Sequence, residues 1–320
     1  MLFTLQAIAS SQTRPLPIDT LSTDPARAST VEFMADGGYQ HYVASDADIR
    51  QMMRQAIDAS LARSSIRPDR IQAILLSTES FWDSGLGETS HRAIPPSERL
   101  REMLCEEIAH AGLVNAMPFG NWMSACSNFG STLALGSALL ESGRYRRVMA
   151  VFADRTPATE SRFVRDGSAL YSDVAAACIL APDAFGYRIR HIVSHSGLAM
   201  LRLPEGMNAR ERNQHFRTQM SEFKLKITVS TGREIADYPL LVTDNLHPMF
   251  TDLMCRQLGI DPGVLVTPTR GTLGHAYAAD CLLALGELET SGRLKPGEVV
   301  GVLNFGTSTF SFLELELVSS

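Results

Sequence analysis

The sequence predicts an α/β protein built from two similar halves, residues 1–185 and 186–320. Two observations carry this. First, one segment is written twice, as "SACSNFGSTLALGSALLESGR" (Ser124–Arg144) and as "GHAYAADCLLALGELETSGR" (Gly274–Arg293). Laying Ser142-Gly143-Arg144 on Ser291-Gly292-Arg293 drops Cys126 onto His275. Second, near-continuous apolar runs such as Ala73–Leu76 and Val299–Leu303 alternate with segments of helical period. Such runs suit strands covered on both faces by helices.

The elements follow in matching order. In the first half, "DIRQMMRQAIDASLARS" reads as a helix and "IQAILLSTES" (Ile71–Ser80) as a strand. "ERLREMLCEEIAHAGL" has helical spacing of Leu100, Met103, Leu104 and Ile108. The repeated helix and the strand pattern "YRRVMAVFAD" complete the half. In the second half, "HFRTQMSEFKLKITVS" is the weakest counterpart, and "DYPLLVTDNL" (Asp237–Leu246) is the strand. "HPMFTDLMCRQLGI" places Met254-Cys255 on Leu104-Cys105. The second copy of the repeated helix leads to "LKPGEVVGVLNFG". Each half therefore reads helix, strand, helix, helix, strand. A duplicated scaffold packs about a pseudo-twofold axis. Equivalent positions such as Cys126 and His275 then approach one another at one cleft.

Bulk properties narrow the function. The chain has 320 residues, 45% hydrophobic and 20% charged, enough for a large core. A net charge of -6 argues against a nucleic-acid partner. Local arginine clusters stand out at Arg144, Arg146, Arg147 and at Arg210, Arg212, Arg217. They read as solvated faces or as a docking patch for an acidic partner. Five scattered cysteines, Cys105, Cys126, Cys178, Cys255 and Cys281, form no disulfide framework and suit a reducing compartment. No Cys/His spacing suggests a metal site. The N-terminus lacks a basic region before its short apolar run, and no run is long enough to span a bilayer. The expectation is a cytoplasmic protein with no membrane partner.

Cys126 is the candidate nucleophile. It opens a helix rich in Gly, Ala, Ser and Leu, where the dipole favours thiolate and backbone N–H groups can steady an oxyanion. A cysteine is more often a small core residue, which is how the other four read. The histidine at the twin position sets Cys126 apart. A base beside a thiol is what nucleophilic catalysis requires. His275 follows the turn-rich stretch "TPTRGTLG". A carboxylate should orient it, and Asp280 and Asp244 are the candidates. Asp280 lies five residues on, about 140° round an ideal helix, so it reaches His275 only if the histidine sits in the non-helical entry.

These segments resemble the thiolase superfamily, and within it the ketoacyl synthase III group. "SACSNFGSTLALGSALLESGRYRRVMAVFAD" is similar to that group's active-site cysteine segment. "LYSDVAAACILA" (Leu170–Ala181) is similar to its "GDGA" strand. "LGHAYAADCLLALGELETSGRLKPGEVVGVLNFGTSTFSF" is similar to its C-terminal segment. The resemblance implies a thiolase-like five-layered α-β-α-β-α sandwich, a homodimer, and acyl transfer through a cysteine thioester. It implies no cofactor beyond the phosphopantetheine thioester that the substrate carries on an acyl carrier protein or coenzyme A. Where the group writes His-Gln-Ala-Asn, this chain has Asp244-Asn245-Leu246-His247; where it writes Gly-Asn, this chain has Gly274-His275. What remains resembles a smaller branch of acyltransferases of antibiotic (polyketide) pathways, with a Cys- or Ser-His-Asp triad. In that branch the His takes the Gly-Asn position and the Asp follows five residues on, as His275 and Asp280 do. The resemblance adds site-lining residues: Asp244, Asn245 and His247, and the loop Phe305-Gly306-Thr307-Ser308, in which Thr307 aligns with an oxyanion donor. Trp82, Phe81 and residues 185–235 are expected to wall the acyl tunnel. The group's tryptophan and arginine that grip coenzyme A have no match in "EFMADGGYQHYV", which adds weight to a carrier protein as donor.

An ionised Asp244 would repel a malonyl carboxylate and an enolate, which disfavours carbon–carbon bond formation. The expected reaction is therefore acyl loading onto Cys126 and transfer to a hydroxyl or amine of a small-molecule acceptor. The alternatives are a condensing enzyme of the ketoacyl synthase III type and a non-catalytic partner subunit.

Overall fold

The computed structural model describes residues 3–12, 14–23, 27–80, 96–164, 167–182, 185–204, 206–306 and 309–319. The elements run β1 (Thr4–Ser10), β2 (Pro15–Pro17), α1 (Ala28–Asp36), β3 (His41–Val43), α2 (Ile49–Arg63), β4 (Ala73–Ser77), α3 (Pro96–His110), β5 (Met117–Asn121), α4 (Asn128–Glu141), β6 (Val148–Asp154) and β7 (Val174–Ala181). They continue with β8 (Gly186–Ser196), α5 (Ala209–Thr231), β9 (Leu241–Thr243), α6 (Pro248–Leu258), β10 (Leu265–Val266), α7 (Arg270–Leu273), α8 (Asp280–Thr290), β11 (Val299–Phe305) and β12 (Thr309–Ser319).

Ten strands form one hydrogen-bonded sheet, in the order β10-β9-β11-β12-β8-β1-β7-β6-β4-β5. Outward from the β1–β8 contact, both blocks have one topology. β4 runs parallel to β5 and β6, and β6 antiparallel to β7. Likewise β9 runs parallel to β10 and β11, and β11 antiparallel to β12. Among the described residues the blocks join through a short β1–β8 ladder, Thr4↔Arg188 and Leu5↔Tyr187, extended by the Ile189 N–H donating to Phe3 O at 2.8 Å. So short a seam lets the sheet fold into two layers.

Side-chain alternation then fills the layers. Val148, Ala150 and Phe152 of β6 face an inner core, where Leu133 and Leu140 of α4 meet Leu282, Leu285 and Leu288 of α8. Val300 and Val302 of β11 face that core from the other layer. Met149, Val151 and Ala153 of β6 point the other way, against Met52, Met53 and Ile57 of α2 and Leu104 and Ile108 of α3. Phe223 and Ile227 of α5 and Met254 and Leu258 of α6 cover the outer face of the second layer with Leu303 and Phe312. The result is the five-layered α-β-α-β-α sandwich of the thiolase-like fold.

Strand β5 has no signal in the periodicity, two-residue β10 is too short to show one, and β8, whose Tyr187 and Ile189 alternate with Arg188 and Arg190, is not among the predicted strands. β5 carries Pro118 and Gly120 and leaves Met117 half-exposed, so it shows no two-sided apolar run. Cys105, expected in a core, is exposed on α3. Among the described residues no helix is long and apolar enough to cross a membrane.

Candidate active site

Cys126 lies in a 3₁₀ turn, Ala125–Ser127, between the end of β5 and the start of α4. It precedes α4 rather than occupying its first turn. Ala125 before it has a φ of 50°, a left-handed conformation that costs free energy for a residue with a Cβ. Neighbouring groups hold the turn from several sides. Ser124 N donates to Asn128 Oδ1 at 3.0 Å, Asn304 Nδ2 to Cys126 O at 3.0 Å, and Thr309 Oγ1 to Ser124 O at 3.3 Å. Gly306 packs so tightly beneath it that a Cβ there would stand 2.3 Å from Ser124 O.

His275 arrives from the other half in extended backbone. Its N–H donates to Leu170 O at 2.7 Å, and its carbonyl accepts from Ser172 N at 2.9 Å. Gly274 turns the chain into that bridge with φ 65° and ψ −150°, and a Cβ there would lie 2.8 Å from Leu170 O, so only glycine fits. A 3₁₀ turn, Tyr277–Ala279, then leads to Asp280, the first residue of α8. His275 is thus in the non-helical entry that the five-residue spacing to Asp280 requires.

The structure brings Cys126, His275 and Asp280 together. Cys126 Sγ is 3.3 Å from His275 Nε2, and His275 Nδ1 bonds Asp280 Oδ2. Asp280 is fully buried and fixed by three other donors. Asn245 N reaches Oδ2 at 2.7 Å, Asn245 Nδ2 reaches Oδ1 at 3.1 Å, and Ala276 N reaches Oδ1 at 2.6 Å. An Nδ1–H given to the carboxylate leaves Nε2 for the sulfur. Burial pulls the His275 pKa down, but Asp280 and the Cys126 sulfur more than offset it and hold it well above the usual histidine range. Burial pushes the Cys126 thiol up, and the His275 charge and hydrogen bond draw it back.

The other predicted residues separate. Asp244 does not touch His275. It is buried and turned to β11, accepting from Asn304 Nδ2 at 2.6 Å, Phe305 N at 2.7 Å and Cys281 Sγ at 3.4 Å. Burial, and next the Asp280 charge, raise its pKa to about 7. Asn245 is buried and braces Asp280 rather than lining the cleft. His247 is away from the site: Nδ1 caps α6 by accepting from Met249 N at 3.2 Å, and its ring stacks on Phe33 at 4.0 Å. Gly306 N donates to Thr309 O at 2.9 Å, so its own N–H is occupied. Thr307, Phe81 and Trp82 lie outside the described residues. Of residues 185–235, the end of β8 comes near the cysteine turn, through the Ser196↔Thr309 pair, while α5 packs on the far face.

Several residues at the cleft escaped sequence reasoning. Tyr171 stacks between His275 at 5.7 Å and Tyr277 at 4.5 Å. Asn304 ties the cysteine turn to Asp244. At the ends of β4 and β6, Asp154 accepts from Thr78 Oγ1, Glu79 N and Ser80 Oγ at 3.2, 2.6 and 3.1 Å. Burial, then the Glu79 charge, push Asp154 to about 8. Burial also raises Glu79, against the pull of His275. Their position at the carboxyl ends of parallel strands was the available signal.

The comparisons agree with this architecture. The family model for 3-oxoacyl-[acyl-carrier-protein (ACP)] synthase III matches residues 121–197, which include Cys126. A β-ketoacyl-[acyl-carrier-protein] synthase III of Thermosynechococcus vestitus is 25% identical over 294 residues, 83% of each chain. Among solved structures, the acyltransferase ChlB3 superposes with a TM-score of 0.78 at 19% identity, covering 100% of this chain and 98% of that one. OleA of Xanthomonas campestris, solved with lauric acid and lauroyl-CoA, superposes with a TM-score of 0.75 at 16% identity over 99% of both chains. These structural likenesses show the fold.

Proposed function

Because the chain is ketoacyl synthase III-like, we propose that it is an acyltransferase that carries its acyl group on Cys126 and passes it to a hydroxyl or amine. The observation that carries this reading is the Cys126–His275–Asp280 line, in which every polar atom of Asp280 is engaged. The Cys126 thiolate attacks the thioester carbonyl, the proton resting on His275 Nε2. His275 returns it to the departing carrier thiol. The acceptor's O–H or N–H then gives its proton to Nε2 as the oxygen or nitrogen attacks the acyl carbon. The Cys126 sulfur leaves as the thiolate and regains its imidazolium partner. Asp280 steadies the imidazolium in both halves of the cycle.

The donor is a thioester borne by an acyl carrier protein or coenzyme A, and the acceptor is a small molecule. The halves 1–185 and 186–320 divide the labour, one supplying the nucleophile and the other the base. His275 supports transfer over condensation, since it is paired with Asp280 as a base rather than free as a neutral donor to an enolate. The names of the β-ketoacyl synthase III relatives favour the condensing reading instead. Product analysis with a malonyl-type thioester separates the two. An intact acyl unit on oxygen or nitrogen supports transfer; carbon dioxide released with a β-keto product overturns it.

A homodimer is part of the proposal. Among the described residues β5 ends the strand order and pairs with β4 alone. Met117 at its start and Trp122 and Met123 just past its end are 53%, 49% and 78% exposed, which makes it a place for a second copy to pair.

A further inference from the structure

Arg70, Arg144, Arg146 and Arg147 converge on a pocket of about 560 Å³ at the amino ends of β4, β5 and β6. Asp154 lies at the carboxyl end of β6, and Glu79 and Cys126 lie past those of β4 and β5. Seven residues of β6 separate the two levels, roughly 20 Å. The pocket is therefore distinct from the acyl site, and nothing below depends on the acyl-transfer reading.

The pocket's charge is uncompensated. Asp69 is its one acid, and Arg67, outside the lining, holds it at 3.2 Å. Among the described residues, none of the four arginines has a carboxylate partner. The Arg147 Nε is buried with no hydrogen-bond partner in the protein. Two other pockets give the contrast. In one, Arg188 and Arg190 are paired with Glu316 at 3.0 and 3.2 Å. In the counterpart from the second half, Arg233 and Arg293 face Asp237 and Glu298. Arg144 and Arg293 are equivalent in the repeat, so the copies diverged: one wall became balanced and the other basic. In a chain of net charge -6, such a cluster is not a by-product of general basicity.

We propose that this pocket binds a phosphorylated small molecule through its diphosphate or an equivalent pair of phosphoryl groups. Guanidinium forks match phosphoryl oxygens two at a time, and several forks favour more than one phosphoryl group. Concavity on this scale suits a small ligand better than a flat protein face.

The test is calorimetric titration of the full chain with inorganic pyrophosphate, with ADP as a second arm and sodium chloride at matched ionic strength as control. Saturable binding with a Kd below about 1 mM, weakened at least ~10-fold in Arg144→Gln/Arg146→Gln, is expected. Both side chains are exposed, so the variant should fold. Equal binding of pyrophosphate and ADP identifies the phosphates as sufficient; tighter ADP identifies a nucleotide. The proposal is overturned by no saturable binding, by binding unchanged in the variant, by a response that salt reproduces, or by competition with a thioester donor. Binding of an acidic carrier protein through these arginines, with none of pyrophosphate or ADP, also overturns it.

Discussion

Cys126 Sγ and His275 Nε2 stand 3.3 Å apart, although 149 residues separate them in the chain. They hold equivalent places in two copies of one segment. The pairing is made by two layers folding over a common pair of helices, α4 and α8. The chemistry that follows can be tested residue by residue.

Incubation with an accepted acyl thioester should leave the adduct on Cys126. Peptide mapping checks this, with exposed Cys105 as the internal control for unspecific acylation. Cys126→Ala should abolish the adduct and keep the fold. An adduct on another cysteine alone would refute the assignment.

His275→Ala should slow acylation as well as transfer. Burial raises the Cys126 thiol, and the imidazole is what opposes it. Stopped single-turnover acylation should fall by at least ~10-fold at pH 7, with the rate profile displaced to higher pH. Unchanged acylation would show that the turn activates the thiol unaided.

Asp280→Asn should cost about 10² to 10⁴ in the transfer step, by analogy with triads. Asn245→Ala should act in the same direction but less, since Ala276 N and Asn245 N remain to hold the carboxylate. A defect in Asn245→Ala confined to kcat, with KM unchanged, distinguishes positioning from loss of structure.

Gly306→Ala should disable the site without unfolding the protein. The added Cβ meets the Ser124 carbonyl at 2.3 Å, so the cysteine turn must shift. Acylation should drop at least ~10-fold, with a stability loss of about 1–3 kcal/mol in denaturant unfolding. Wild-type acylation in this variant would mean that the turn is not held from below.

Asp154 gives the pH prediction. Its folded pKa, about 8, lies above that of an exposed aspartate, so the native state binds the proton more tightly than the unfolded one. Its contribution to stability is complete below about pH 4 and is lost as pH rises towards 8. Asp154→Asn keeps a carbonyl oxygen to accept from Thr78, Glu79 and Ser80. It should flatten the decline of Tm between pH 5 and 8 by roughly 2 °C or more. An identical slope in wild type and variant would remove Asp154 as its source.

The sequence alone determined the duplication, the layered α/β class and the pairing of Cys126 with His275. All three are properties of period and position, and both survive in one-dimensional text. Asp280 was legible because a fixed spacing constrains geometry round a helix start. The rest depended on tertiary structure. Asp280 was the favoured partner and Asp244 the alternative until packing turned Asp244 towards β11 and Asp280 towards His275. His247, two residues past Asn245, left the cleft because it caps α6 against Phe33. The edge strand β5 was invisible because three of its five residues are exposed and none is buried, so no apolar burial pattern was imposed on its sequence. Asp154 and Asn304 gain their importance from low local solvation, and that is decided by which surfaces meet when the two layers close.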